Sequence, residues 1–117
     1  YAAIINNSRI SNTVDSKILK WNGSQFVDFQ NIPTTGGLNW DYFTVKGWHY
    51  LLLTTNTTLP QIYRWNGTNF ELYRVLSMDK AWGSALFSAG PLENYLILGS
   101  LIGPQGYSSP SRVFRFD

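Results

Sequence analysis

The chain has 117 residues, of which 44% are hydrophobic, 16% aromatic and only 14% charged, a composition that excludes a disordered chain and favours β-structure over a helical bundle. Nine basic residues, scattered singly, and seven acidic residues give a net charge of +2, so we expect no nucleic-acid-binding patch. The absence of cysteine excludes a disulfide or a thiolate metal site within these residues, and no apolar run approaches the roughly 20 residues of a membrane-spanning helix.

Alternation of apolar and polar residues predicts ten short β-strands and no amphipathic helix. In chain order, the predicted strands are 1–5, 17–21, 25–30, 40–45, 49–55, 61–65, 69–75, 84–88, 94–99 and 111–116. The pairs Asn22-Gly23 and Asn66-Gly67 mark two hairpin tips, because glycine adopts a positive φ freely and asparagine does so better than most residues.

Other breaks in the pattern separate the remaining strands. Pro33, Gly36 and Gly37 are expected to interrupt the chain before the strand 40–45, and Lys46-Gly47 is expected to turn it into the strand that follows. The pattern therefore gives four strands to each unit.

The same strands recur after about 44 residues. Trp21 and Trp65 lie 44 positions apart in matching contexts, and so do Phe43 and Phe87. Four short antiparallel strands per period are typical of a β-propeller blade, which buries both faces of its sheet against its neighbours. We therefore predict an all-β fold of four-stranded propeller blades, with about two and a half blades in this chain. The predicted repeat units are approximately 1–39, 40–83 and 84–117.

The unit resembles the epitempin repeat, also called the EAR or EPTP repeat. Its loose pattern runs Val/Ile-Tyr-x-Trp-Asn-Gly-x-x-Phe-x-x-Tyr/Phe-Gln and continues after a gap as Gly-Ala-x-Asp-Trp-Glu-x-Phe. Residues 18–33 and 37–43 carry the closest match. The second unit departs from it, because residues 83–87 keep the phenylalanine but lack the acid-Trp-acid pattern, so we expect a bulge in that innermost strand.

The resemblance implies a seven-bladed propeller in a secreted or cell-surface protein that binds other proteins, as in the leucine-rich glioma-inactivated proteins. The expected function is an extracellular recognition module, with the loops 6–16 and 99–110 as binding segments and the remaining blades supplied by the same or a companion chain. The alternative is a carbohydrate-binding propeller lectin with Trp40 and Trp48 as stacking platforms. Tyr107, in a loop rich in glycine and proline, is a further ligand-binding candidate.

The titratable residues form no catalytic arrangement in the sequence, so we predict no enzyme activity and no catalytic cofactor. His49 is the single histidine, and we expect it at the surface where a strand begins. Asp41 lies near the start of an innermost strand, close to Asn39, where some propellers of the resembling family hold a cation in their channel. Asp41 is therefore the candidate ligand of a structural calcium ion.

Asn-x-Ser/Thr patterns occur at four asparagines, which would accept N-linked glycans in a secreted protein. Asn22 and Asn66 already have a structural role at the hairpin tips. Asn6 and Asn56 are therefore the predicted glycosylation sites.

Overall fold

A computed structural model describes residues 1–4, 13–55, 59–78, 80–90, 93–102 and 111–116. Within these ranges the chain forms ten β-strands and no helix. The strands are β1 (Ala2–Ile4), β2 (Thr13–Trp21), β3 (Phe26–Thr35), β4 (Gly37–Val45), β5 (Trp48–Thr55), β6 (Gln61–Trp65), β7 (Phe70–Val75), β8 (Lys80–Gly90), β9 (Glu93–Ile102) and β10 (Arg112–Phe116). They form three antiparallel sheets, which we call the first (β1-β2-β3), middle (β4-β5-β6-β7) and third (β8-β9-β10) sheets. The predicted all-β fold is confirmed.

Both predicted Asn-Gly hairpin tips are confirmed, although asparagine acts there through its side chain. In each turn the asparagine Oδ1 accepts hydrogen bonds of 2.9 Å from the backbone N–H groups two and three positions later. Gly23 and Gly67 have φ values of 101° and 100°, whereas Asn22 and Asn66 do not adopt a positive φ. The asparagine thus holds the turn closed, and only the glycine needs the left-handed conformation.

The turn between β4 and β5 and the corner before β4 have different origins. Lys46 and Gly47 both have a positive φ, of 52° and 81°, as a two-residue hairpin of type I′ requires. The expected break at Pro33 was wrong, because β3 continues through it to Thr35. β3 is an outermost strand, so the N–H that proline lacks is not needed by a further strand, and the corner forms at Gly36 with φ 64°.

The strands beside the two predicted long loops extend into those loops. β2 begins at Thr13, within the predicted loop 6–16, and β9 continues to Ile102, within the predicted loop 99–110. At the start of β2, the buried Ser16 hydroxyl hydrogen-bonds that of Thr34 on β3 at 2.6 Å. The remainder of both loops, including Tyr107, lies outside the described residues.

Bulges interrupt four of the strand pairs, one of them between Gly37 and Asn39 of β4. The innermost strand of the third sheet shifts register between Lys80 and Gly83 and again after Ser88, which confirms the bulge expected there. Two further bulges lie 44 positions apart, at Phe29 on β3 and Tyr73 on β7. The repeat therefore extends to the irregularities of its outermost strand.

The middle sheet is buried on both faces. Successive side chains of a strand point to opposite faces, so Leu51 packs toward the first sheet and Leu52 toward the third. All residues from Tyr50 to Thr55 are buried. The sheets thus stack face to face like neighbouring propeller blades, while the blade total and the boundaries of the repeat units stay predictions.

Candidate functional site

The interface between the first and middle sheets contains an aromatic group with a cation above it. Phe29 lies 5.2 Å from Tyr1 and 5.9 Å from Trp65, measured between ring centroids. The Nζ of Lys20 lies 5.8 Å from the Tyr1 centroid and 6.0 Å from that of Phe29. Because Phe29 is the bulge residue of β3, the bulge turns its ring into this interface.

The same arrangement recurs between the middle and third sheets. The bulge residue Tyr73 lies 5.7 Å from Tyr50 and 6.5 Å from Phe116, the counterparts of Tyr1 and Trp65. Arg64, the counterpart of Lys20, places its guanidinium carbon 4.3 Å from the Tyr73 centroid and 4.5 Å from that of Trp48. Each described interface thus combines packed rings with a cation–π contact.

A polar clamp joins the outermost strands of the first and middle sheets. The Gln30 Nε2 donates to the backbone oxygen of Phe70 at 2.6 Å, and the Phe70 N–H donates to the Gln30 Oε1 at 2.9 Å. The nitrogen and the oxygen of the Gln30 side-chain amide thus hydrogen-bond the backbone C=O and N–H of a single residue on the neighbouring sheet.

Asp41 joins the innermost strands of the middle and third sheets. One of its carboxylate oxygens accepts a hydrogen bond from the Ser84 hydroxyl and another, at 3.2 Å, from the Asn39 Nδ2. The described residues contain no group of three or more histidines or carboxylates that could hold a metal. Calcium takes six to eight oxygen ligands, so this single carboxylate does not form a calcium site without ligands from elsewhere.

A cleft of about 460 Å³ lies between the first and middle sheets. Its lining is mainly apolar and includes Leu51 and Phe70, and polar groups are contributed by Tyr1, Tyr42 and His49. The Tyr42 hydroxyl and the His49 Nδ1 are 2.6 Å apart, and their rings stack with centroids 5.9 Å apart. His49 is exposed near the start of β5, as expected from the sequence.

The two predicted sugar platforms lie in different environments. Trp40 is partly buried, packs against Tyr63 with centroids 5.8 Å apart, and has no hydrogen-bond partner for its buried Nε1. Trp48 is 49% exposed and lies beneath Arg64. The structure therefore does not bring the two tryptophans together on one sheet interface.

The predicted glycosylation sites, Asn6 and Asn56, lie outside the described residues. At the discounted position Asn66, the Nδ2 that would carry a glycan donates to the Asn69 Oδ1 at 3.0 Å and to the Glu71 Oε2 at 3.3 Å. This amide nitrogen is engaged within its hairpin.

The outer face of the third sheet is an apolar surface that the sequence reading did not identify. Its exposed residues are Phe87, Ile97 and Val113, and their counterparts in the middle sheet are Phe43, Leu52 and Ile62. The three third-sheet residues are 38–65% exposed, whereas the three counterparts are at most 6% exposed. Comparing the positions repeat by repeat would have revealed this surface.

The opposite end of the stack shows the same contrast. On the first sheet, Trp21 and Phe26 pack against each other with centroids 5.2 Å apart and are 51% and 50% exposed. Their counterparts in the middle sheet, Trp65 and Phe70, pack against the first sheet. Both ends of the described stack therefore expose side chains that are covered inside it.

None of the described segments contains a helix of the length and hydrophobicity needed to cross a bilayer.

The family profile that matches this chain covers about one period of the repeat. The profile of the EPTP domain matches residues 25–66, a stretch that begins in one Asn-Gly hairpin turn and ends in the next. The chain is 40% identical over 52 residues to human "Leucine-rich repeat LGI family member 2" and 42% identical over 52 residues to mouse "Leucine-rich repeat LGI family member 3". It is 33% identical over 65 residues to human "Leucine-rich glioma-inactivated protein 1".

These matches cover 44%, 44% and 56% of this chain. They span only 10%, 10% and 12% of the respective relatives, so the matched residues correspond to about a tenth of the relatives' length. The profile match, the identities and the stacked antiparallel sheets agree. Residues 25–66 thus carry a repeat of the EAR/EPTP family, whose repeats are of the β-propeller type.

Proposed function

We propose that the chain is a protein-recognition module, part of a β-propeller that acts at the cell surface or after secretion. The EAR/EPTP repeat at residues 25–66 supports an interaction role. Its surface also offers the exposed Trp48 at the start of β5, with the Arg64 guanidinium over its ring, and tryptophan and arginine are residue types that dominate binding energy at protein interfaces.

The observation that carries the propeller part of this proposal is the burial contrast on the third sheet. Val113 is 65% exposed, but its counterpart Ile62 is fully buried by a neighbouring sheet. Phe87 stacks on Tyr95 with centroids 5.7 Å apart, as Phe43 stacks on Tyr50 at 5.1 Å inside the stack. The side-chain arrangement is therefore that of a blade interface, and further blades, from the same or a companion chain, would cover it.

A panel of purified secreted proteins and cell-surface ectodomains tests the recognition role. The purified chain should bind at least one member saturably, and the binding should persist after enzymatic removal of glycans from that member. Binding that disappears with the glycans, or that occurs only on a glycan array, would contradict a protein-recognition role.

The half-exposed Trp48 supports the lectin as a second candidate, because a sugar ring can stack on an open indole face. Arg64 occupies one side of this indole. In a lectin, Trp48→Ala should abolish glycan-array binding while thermal unfolding stays unchanged. A protein-recognition module should give no saturable glycan binding in either form.

Calcium binding at Asp41 remains a separate hypothesis, because it needs ligands beyond those described. Calcium titration of the intact protein and of Asp41→Ala, followed by thermal unfolding, tests it. A calcium-dependent rise in melting temperature that the variant lacks would support a site at Asp41, whereas equal shifts would remove Asp41 as a ligand.

A further inference from the structure

We propose that the Arg64 guanidinium is a binding site for a carboxylate of an acidic protein segment. This inference deepens the proposed recognition role, on which it rests, by naming the chemistry of the partner. Arg64 lies on β6 between two rings, with its guanidinium carbon 4.5 Å from the Trp48 centroid and 4.3 Å from the Tyr73 centroid. The rings hold the cation in place, but they provide little for its five N–H donors to bind.

The described residues provide no carboxylate for this cation. Glu71 is directly opposite Arg64 across the β6–β7 pair, yet its carboxylate accepts a hydrogen bond from the Asn66 Nδ2 and forms no ion pair with Arg64. The ion pair found in the described part of the chain joins Lys17 and Asp28, with 2.7 Å between nitrogen and oxygen. Arg64 is therefore a positioned cation whose hydrogen-bonding capacity is available.

The repeat shows that this position stays accessible when the next blade is present. Lys20 occupies the same position in the first sheet, above Tyr1 and Phe29, and the complete four-stranded middle sheet lies next to it. Lys20 is nevertheless exposed. A strand that completes the third sheet would thus leave Arg64 within reach of a partner.

The site recurs along the stack and its chemistry favours carboxylates. Lys20 holds the corresponding position in the first sheet, so a cation above packed rings is repeated from one described sheet to the next. The planar fork of arginine matches a carboxylate at two points, and tryptophan, tyrosine and arginine are the side chains that contribute most at interfaces.

Binding of a fluorescently labelled poly-glutamate peptide at low salt, followed by anisotropy, tests this site. Arg64→Gln should weaken the affinity about tenfold, the loss expected for one charge-assisted contact. Arg64→Lys keeps the positive charge but lacks the planar guanidinium, so its affinity should lie between those of the unaltered chain and Arg64→Gln. Glu71→Gln removes the negative charge opposite Arg64 on β7, which repels an incoming carboxylate, and should tighten binding. Arg112→Gln is the charge-matched control, because Arg112 is exposed on β10 and contacts no ring among the described residues, and it should change the affinity less than about twofold.

Three results would overturn the site. The first is no binding of poly-glutamate to the unaltered chain. The second is equal weakening by Arg64→Gln and Arg112→Gln. The third is binding of a heparin fragment without binding of poly-glutamate. If Arg64→Gln fails to fold, Arg64→Lys and Glu71→Gln still test the site, because the first should weaken the binding of poly-glutamate and the second should strengthen it. None of these results bears on the recognition role, which the ectodomain panel tests independently.

Discussion

One amide side chain, that of Gln30, holds both backbone hydrogen-bonding groups of Phe70 on the neighbouring sheet, at 2.6 and 2.9 Å. Phe70 is 8% exposed and lies in the cluster between the first and middle sheets. Its backbone is on the outermost strand of the middle sheet, where β7 has no further strand to pair with. The glutamine therefore supplies from one blade the hydrogen bonds that an outer edge of the next blade lacks.

Replacement of Gln30 by methionine should lower the free energy of unfolding by about 1–3 kcal/mol, because it leaves the Phe70 N–H without its partner. Gln25→Met is the matched control, since the Gln25 side chain is exposed in a hairpin turn, and it should change stability by less than about 0.5 kcal/mol. Urea unfolding monitored by tryptophan fluorescence measures both. Equal midpoints for the two variants would show that the clamp does not stabilise the stack.

The glycine of the first Asn-Gly hairpin should not tolerate a side chain. Gly23 has φ 101°, and although a Cβ there would meet no atom within 4 Å, the backbone conformation itself is unfavourable for alanine. Gly23→Ala should destabilise the chain by about 1 kcal/mol, whereas Gly90→Ala, without a positive φ, should be neutral or slightly stabilising. Thermal unfolding measures the stability of both variants. An added Cβ would meet no atom within 4 Å at either position, so a loss of stability in Gly23→Ala alone would be caused by backbone strain.

The Asp41–Ser84 contact should couple the innermost strands of two sheets. Asp41→Ala and Ser84→Ala should each destabilise the chain, and the double variant should lose less than the sum by about 1 kcal/mol, since each single variant already breaks the same hydrogen bond. Denaturant unfolding of the four forms measures this coupling energy. Strictly additive losses would show that the two side chains act independently.

Stability should fall more steeply at high pH than in a variant without Tyr63. Burial raises the pKa of the Tyr63 hydroxyl above its ordinary value of 10.0. Above pH 10 the unfolded chain releases this proton while the folded chain retains it, so the stability contributed by the neutral group is lost as the pH rises through the folded-state pKa. Tyr63→Phe should therefore show a shallower decline above pH 10.

Below pH 10, the stability difference between the original chain and Tyr63→Phe should be constant. It then reports the missing hydrogen bond from the Tyr63 hydroxyl to the Gln61 Oε1, which is 3.0 Å long. Parallel stability curves across pH 10 would contradict the effect of burial on this group.

The ten strands and their order could be predicted from the sequence, because short motifs encode the hairpin turns and these motifs recur with a period of 44 residues. It failed at Pro33, where the break expected from proline is absent because β3 is an edge strand, a property of the sheet and not of the segment. The bulges at Phe29 and Tyr73 were also missed, since alternation alone gives no sign of an extra residue. The Arg64 site depends on contacts between three strands, so a linear reading could not assemble it.

The central claim is that the outer face of the third sheet is a blade interface, and single cysteines can test it because the chain has none of its own. Val113→Cys probes that face, and Arg112→Cys, its neighbour on β10 with a side chain on the opposite face, is the control. In the isolated chain a thiol reagent should label both positions rapidly. In the protein expressed from its natural gene, the thiol of Val113→Cys should be protected while that of Arg112→Cys reacts, whereas rapid labelling of both would contradict the blade interface.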